Sequence, residues 1–109
     1  MDVHEQYVLT NELNGYTITA ISMRTFQITV KLEIPSGGVY LICKNANILS
    51  VSMGYISILR LSSEDRCVVC VHTVIMDNDI FLFLMLSCGA YLTICAEDVH
   101  LKYPSSTDS

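Results

Sequence analysis

The chain has no tryptophan, only two prolines and little charge, since Asp, Glu, Lys and Arg make up 16% of its 109 residues. Its six basic residues are scattered and form no run, while eleven acidic residues give a formal net charge of −5. Proteins that bind phosphate backbones or anionic lipid surfaces normally carry clustered Lys and Arg. The sequence therefore argues against nucleic acid or an anionic membrane surface as a partner.

The shortage of charge is matched by an excess of apolar residues, which make up 51% of the chain. A chain of 109 residues forms one domain and can bury roughly two thirds of its unfolded surface in a single core. A large apolar patch left over in such a small domain normally marks an interface with a partner or another copy. The composition thus predicts an interaction protein.

Motifs for catalysis and cofactor binding are also missing. The sequence has no Gly-x-Ser-x-Gly elbow, no phosphate-binding glycine loop and no His-Glu-x-x-His. The carboxylate pairs are most simply solvated turn residues, and they lie at Glu64/Asp65, Asp77/Asp79 and Glu97/Asp98. We expect no enzymatic activity, no cofactor and no metal.

Five cysteines cannot all pair with one another, and we expect them to be small apolar residues rather than a disulfide framework. Cys67 and Cys70 have the spacing of a redox motif, but such motifs place the first thiol at a helix N-terminus. Here both lie in a predicted strand, where residues three apart face opposite sides. That arrangement disfavours both a disulfide and a shared zinc ion.

Short β-type runs cover most of the chain, and most connectors between them are polar or contain glycine. In the clearest run, Phe26–Ile34, apolar residues at every second position alternate with polar ones. The predicted strands are Tyr7–Thr10, Tyr16–Ile21, Phe26–Ile34, Val39–Cys43, Ile48–Val51, Tyr55–Leu61, Cys67–Val74, Ile80–Ser87, Ala90–Ala96 and Val99–Tyr103. Closely spaced strands of this kind predict a β-sandwich or barrel.

The connector after Ile34 contains Pro35, which ends a strand ladder because it lacks an N–H. Gly37 and Gly38 follow, and we expect them to supply the positive φ of a chain reversal. The residues before Tyr7 are expected to be an N-terminal extension (1–6), the β-domain spans 7–103, and 104–109 form a polar tail.

The run from Ile80 to Leu86 is apolar on both faces of a strand, so its outer face needs a cover. A strand would place Phe81, Phe83 and Met85 on one side and Leu82, Leu84 and Leu86 on the other. A buried central strand beneath a long loop and a membrane span over Ile80–Ala96 are alternatives. We favour a second copy of the chain as the cover.

The segment Leu32-x-Ile34-x-x-x-Gly38-Val39-Tyr40-Leu41-Ile42, with Ile48 beyond it, resembles the signature of the tumour necrosis factor superfamily of ligands. Later segments look like the later strands of its small co-stimulatory members: Tyr55–Leu59, Thr73–Leu86 and Gly89–Ile94. After the tetrad Gly38-Val39-Tyr40-Leu41, the family usually has a long polar residue and then an aliphatic one. This chain has Asn45 and Ala46 instead.

This resemblance implies a two-sheet jelly-roll sandwich that forms a homotrimer and binds a cysteine-rich receptor of the tumour necrosis factor receptor class. Phe81, Phe83, Met85 and Tyr91 would then lie toward the trimer contact. The receptor-facing loop would be Ser63, Glu64, Asp65 and Arg66. The domain would be extracellular and tethered to a membrane only through an anchor outside this chain. The sequence departs from the family pattern in one respect, since a final strand is not found.

A second resemblance is to the trimeric dUTP pyrophosphatases, through Gly15–Ile18, Ile34–Gly38, Gly54-Tyr55 and Ile75–Asp77. The aspartate expected after the first Gly-Tyr is Thr17, and the family's Tyr-Arg-Gly is replaced by residues such as Ile80 and Phe81. This alternative implies an inactive, cytosolic relative that acts through protein contacts.

Overall fold

Two four-stranded antiparallel sheets make up most of the structure, a computed structural model that describes residues 12–51 and 55–104. The strands are β1 (Thr17–Arg24), β2 (Gln27–Ile34), β3 (Gly37–Lys44), β4 (Asn47–Val51), β5 (Val68–Met76), β6 (Asp79–Leu86), β7 (Tyr91–Ala96) and β8 (Asp98–Lys102). A short helix, α1 (Tyr55–Leu59), and a 3₁₀ turn (Ser63–Arg66) lie between β4 and β5. The predicted strand at Tyr7–Thr10 is outside the described residues.

The first sheet has the strand order β1-β2-β3-β8 and the second β4-β7-β6-β5. The last six strands pair in a nested way, β5 with β6, β4 with β7 and β3 with β8. The chain crosses from the first sheet to the second between β3 and β4 and returns between β7 and β8. The predicted all-β architecture of two antiparallel sheets is confirmed.

One core lies between the sheets and is built from alternate residues of each strand. In β6 the residues Ile80, Leu82, Leu84 and Leu86 are buried, while the residues between them are partly exposed. The first sheet contributes the same pattern, with its inward side chains at Ile18, Ile28, Val30, Leu32, Val39, Leu41, Cys43 and Val99. The expected division of residues 81–86 between two faces is therefore correct.

The apolar stretch from Ile80 to Ala96 forms two antiparallel strands, β6 and β7, joined by a turn. Gly89 in that turn has a φ of 93°, and its N–H donates to the Leu86 carbonyl at 2.9 Å. A membrane-spanning helix is therefore not what this segment forms. None of the helices in the described part of the chain is long and apolar enough to cross a bilayer.

The turn between β5 and β6 contains Asp77 as predicted, whereas Asp79, also expected to be a turn residue, is the first residue of β6. Asp77 and Asn78 both have positive φ, 51° and 69°, as a two-residue type I′ turn requires. Asp and Asn tolerate the left-handed region better than other non-glycine residues. This turn aligns the two strands so that Met76 faces Asp79 and His72 faces Phe83.

The prediction of a strand at Tyr55–Leu61 is wrong, because residues Tyr55–Leu59 form α1 and a turn follows. The segment connects β4 to β5, which are opposite edges of the second sheet. A helical turn satisfies backbone groups within the segment itself, so this connection needs no strand partner. Ile58 still enters the core, with 1% of its surface exposed.

The expectation that both glycines after Pro35 supply positive φ to the reversal holds in part, since Gly37 has a φ of 157° but Gly38 does not have positive φ. Ile34 pairs directly with Gly37, so Pro35 and Ser36 are the two turn residues and both glycines begin β3. Gly38 lies opposite Glu33, and a Cβ there would come within 3.1 Å of the Leu32 carbonyl oxygen. Close approach between strands, rather than positive φ, is the reason for a glycine at that position.

Phe26 is not the first residue of the alternating run, as predicted, but lies in the turn between β1 and β2. Its φ is 61° and its side chain is 70% exposed. A bulky residue in the left-handed region costs about 1–2 kcal/mol. The local strain is present because Arg24 and Gln27 must pair across a loop of only two residues.

Replacing Phe26 by Asn should stabilise the protein by about 0.5–1 kcal/mol, because Asn adopts left-handed backbone angles more readily. The exposed ring contributes little packing that could be lost. Chemical denaturation measures the gain. Phe26→Ala is the matched control, since it removes the ring but keeps the backbone penalty, and equal stability of the two variants would contradict the prediction.

Candidate interaction surface

The outward side of the second sheet is an apolar surface. Residues that face each other on neighbouring antiparallel strands share one face of a sheet, and three such rows cross β5, β6 and β7. We call this surface the apolar outer face, and its rows are Cys70–Met85–Tyr91, His72–Phe83–Thr93 and Val74–Phe81–Cys95, with Met76 and Asp79 at one end.

The large side chains of this face keep contact with water. Val74 is 45% exposed and Met76 is 56% exposed, while Phe81, Phe83 and Met85 are half-buried. The rings of Phe83 and Tyr91 stack with centroids 5.7 Å apart and an interplanar angle of 30°. The two rings therefore pack against each other at the centre of the face.

Charge is nearly absent from the apolar outer face. Among its members only Asp79, at the margin, is formally charged at neutral pH, and His72 is the one imidazole. Burial, and to a lesser degree the charge of Asp79, raise the pKa of the Cys95 thiol, so that residue is neutral as well. Burying the apolar side chains of such a surface lowers the free energy. The desolvation penalty is small, because few polar or charged groups are removed from water.

The structure brings together the four residues predicted for an oligomer contact. Phe81, Phe83 and Met85 follow each other on β6, and Tyr91 lies opposite Met85 on β7. The sequence analysis missed Val74 and Met76, which extend the same face onto β5. Their alternation with the inward residues of β5 is the signal that could have identified them.

The predicted receptor-facing residues form a separate site. Ser63, Glu64 and Asp65 are exposed in the 3₁₀ turn, and the Ser62 hydroxyl donates to the Asp65 carboxylate at 3.1 Å. The Ser87 hydroxyl donates to the Glu64 carbonyl oxygen. Since Ser87 belongs to the turn joining β6 to β7, the Ser63–Arg66 turn lies at the end of the sheet near Met85 and Tyr91.

The outward side of the first sheet has the opposite character. It carries four of the six basic residues of the chain, including all three lysines. We call this surface the cationic face, and its rows are Arg24–Gln27–Lys44–Asp98, Ser22–Thr29–Ile42–His100 and Ala20–Lys31–Tyr40–Lys102, followed by Thr17–Glu33–Gly38. The sequence did not indicate this face, because two hairpin registers and the long-range pairing of β3 with β8 are needed to align these separate positions.

All five cysteines are free thiols. Cys67 immediately precedes β5 and Cys70 lies within it, with a shift of register between Val68 and Cys70. Within the described residues no group of three His, Cys, Asp or Glu side chains is placed to hold a metal ion. Burial, and secondarily the charge of Asp98, raise the pKa of Cys43 from 9.0 to about 12.

The raised pKa predicts very uneven thiol reactivity. Cys88 is exposed, whereas Cys43 is buried and has about a thousandfold smaller thiolate fraction at neutral pH than a thiol of pKa 9.0. Iodoacetamide should alkylate Cys88 rapidly and leave Cys43 unmodified in the native protein, as peptide mass mapping can show. Unfolding in urea should expose Cys43, and fast native labelling of Cys43 would contradict its burial.

Comparison with protein-family models, curated proteins and solved structures gives no match for this chain. The two sheet faces and the turn at Ser63–Arg66 are therefore the features from which function is inferred.

Proposed function

We propose that this chain is a non-catalytic, homotrimeric ligand of the tumour necrosis factor type that binds and clusters a cysteine-rich cell-surface receptor. The observation that carries the proposal is the apolar outer face, with Phe81, Phe83 and Met85 at its centre. Such a ligand acts outside the cell, where its receptor is displayed.

A second copy is the occupant that best fits the apolar outer face. A nearly uncharged surface can lie close to those of other copies around a threefold axis, because no like charges meet there. The residues on three neighbouring strands also form a continuous patch rather than scattered apolar side chains. Burial of a continuous apolar patch is the main driving force for association between subunits.

The nested strand pairing supports the jelly-roll part of the proposal. The three nested pairs form one long folded hairpin, with β3, β4 and β5 in one arm and β6, β7 and β8 in the other. The two arms cross together from one sheet to the other. Jelly rolls are double-sheet folds built from such long-range antiparallel pairs. In this proposal β1 and β2 extend the first sheet as a meander.

The Ser63–Arg66 turn fits a receptor-contact role at the rim of a trimer interface. It lies at the same end of the second sheet as Met85 and Tyr91, and it exposes two carboxylates, Glu64 and Asp65. A groove between neighbouring subunits would place this turn beside the apolar contact. The receptor would then touch two chains at once.

Analytical ultracentrifugation tests the oligomer directly, and we expect a particle of about three times the 12.2 kDa chain mass at micromolar concentration. A monomer over that range would contradict the proposal.

The receptor part is tested by binding to immobilised receptor ectodomains of the tumour necrosis factor receptor class. Glu64→Lys should weaken receptor binding. Glu97→Lys, which makes the same change of charge in another exposed turn, should not weaken it. Failure of every ectodomain to bind would overturn the receptor part of the proposal.

A further inference from the structure

The cationic face concentrates positive charge on one side of an otherwise acidic protein. It holds four cations, Arg24, Lys31, Lys44 and Lys102, against two carboxylates, Glu33 and Asp98. This face therefore carries a formal charge of +2, and since the chain as a whole carries −5, the remaining residues carry −7. A molecule with such segregated charge presents one side to anionic partners.

The cations of this face are available for a partner. Asp98 contacts the His100 ring, with 3.0 Å between its carboxylate oxygen and Nδ1. Within residues 12–51 and 55–104, no carboxylate forms an ion pair with Lys31, Lys44 or Lys102. Lys44 and Lys102 are also exposed.

From these observations we infer that the cationic face docks an extended, Asp/Glu-rich segment of another protein. The inference goes beyond the proposed function, because this surface is on the other sheet and does not require self-association.

The spacing of the cations suits an extended peptide. Lys31 and Lys102 flank Tyr40 in one row across three neighbouring strands, and the Lys31 ammonium lies 6.0 Å from the Tyr40 ring centroid. Lys44 lies on the same strand as Tyr40 and four residues further along, which is about 13 Å in a β-strand. An extended segment places the side chains of one face about 7 Å apart, so alternate carboxylates can reach both groups of cations.

A protein segment fits this face better than a nucleic acid does. Glu33 and Asp98 interrupt the positive field, and a peptide can leave neutral residues opposite them, whereas a phosphate backbone presents a charge at every step. The charge of −7 on the rest of the chain would also repel a long polyanion. The face offers Tyr40 and the His100 imidazole as its aromatic rings, which is little for base stacking.

Fluorescence anisotropy with a fluorescein-labelled oligoglutamate peptide tests the inference. We expect binding at low salt that weakens as the salt concentration rises, because the contacts are solvent-exposed charge pairs. Lys102→Glu should weaken binding about tenfold. Arg60→Glu is the matched control, since it makes the same change of charge at an exposed position away from the cationic face, and it should change the affinity less than about twofold.

Three results would overturn the inference: no peptide binding at low salt, equal weakening by the two substitutions, or tighter binding of an oligothymidylate of equal charge. Lys44→Glu is a second variant on the same face, in case Lys102→Glu disturbs the edge strand β8. Repeating the titration with the Phe83→Asp protein separates the two proposals. Peptide binding should be unchanged there, so a failure of self-association leaves this inference standing.

Discussion

Phe83→Asp is expected to convert the proposed homotrimer into single chains of 12.2 kDa, with the native fold retained. Phe83 is at the centre of the apolar outer face, opposite His72 on β5 and Thr93 on β7. In an assembled particle the new carboxylate would be buried without a partner, which costs several kcal/mol for each subunit. In a free chain the same carboxylate would remain in water, so the substitution disfavours association much more than folding.

Ile42→Asp is the matched control for this prediction. Ile42 is also half-buried on an outward sheet face, but it belongs to the first sheet, in the row with Thr29 and His100. It should leave the sedimentation coefficient unchanged, because the proposed contact involves the second sheet alone. An oligomer that survives Phe83→Asp, or that dissociates equally with Ile42→Asp, would show that another surface joins the subunits.

Leu84→Ala is expected to remove about 2–5 kcal/mol of folding stability. The Leu84 side chain is fully buried, and its cross-strand neighbours are Val71 and Leu92 on the two adjacent strands. Truncation leaves a cavity in the middle of the core, between sheets that cannot close around it. For a domain of this size the loss is a large part of the total stability.

Equilibrium urea unfolding measures this effect, and the Phe83→Asp background removes the contribution of association to apparent stability. Val74→Ala is the control, because Val74 is 45% exposed on the opposite side of the same sheet. Its cost should stay below about 1 kcal/mol. Similar losses from the two substitutions would mean that the inward and outward faces of this sheet are wrongly assigned.

Residue alternation alone predicted much of this fold. The inward positions of β2 follow from its alternation of apolar and polar residues, and the structure places Val30 in the core as that alternation requires. In β6, which is apolar on both faces, the two-residue period only divided the residues between two sides, and Leu84 lies on the buried one. The Asp77-Asn78 turn was also identifiable, because few residues tolerate two successive positive φ values. These features are local, so neighbouring residues contain the information that determines them.

The errors occurred where strand pairing overrides local preference. Phe26 has the residue type of a strand but lies in a turn, because the register of β1 with β2 leaves only two residues between the strands. Tyr55–Leu59 is mostly apolar and was expected to be a strand, yet it forms a helix in the connection between β4 and β5, the two edges of the second sheet. Gly37 and Gly38 were expected in the reversal and instead begin β3.

By itself, the sequence determined the strand content, the inward and outward sides of the best strands, and the surplus of apolar residues around Phe83. The tertiary structure alone decided which outward residues become neighbours. Arg24, Lys31, Lys44 and Lys102 are separated by up to 78 positions in the printed sequence, and they share a face only because β1, β2, β3 and β8 lie side by side in one register. Pairing between distant strands depends on packing of the whole core, so no local pattern of residues can specify it.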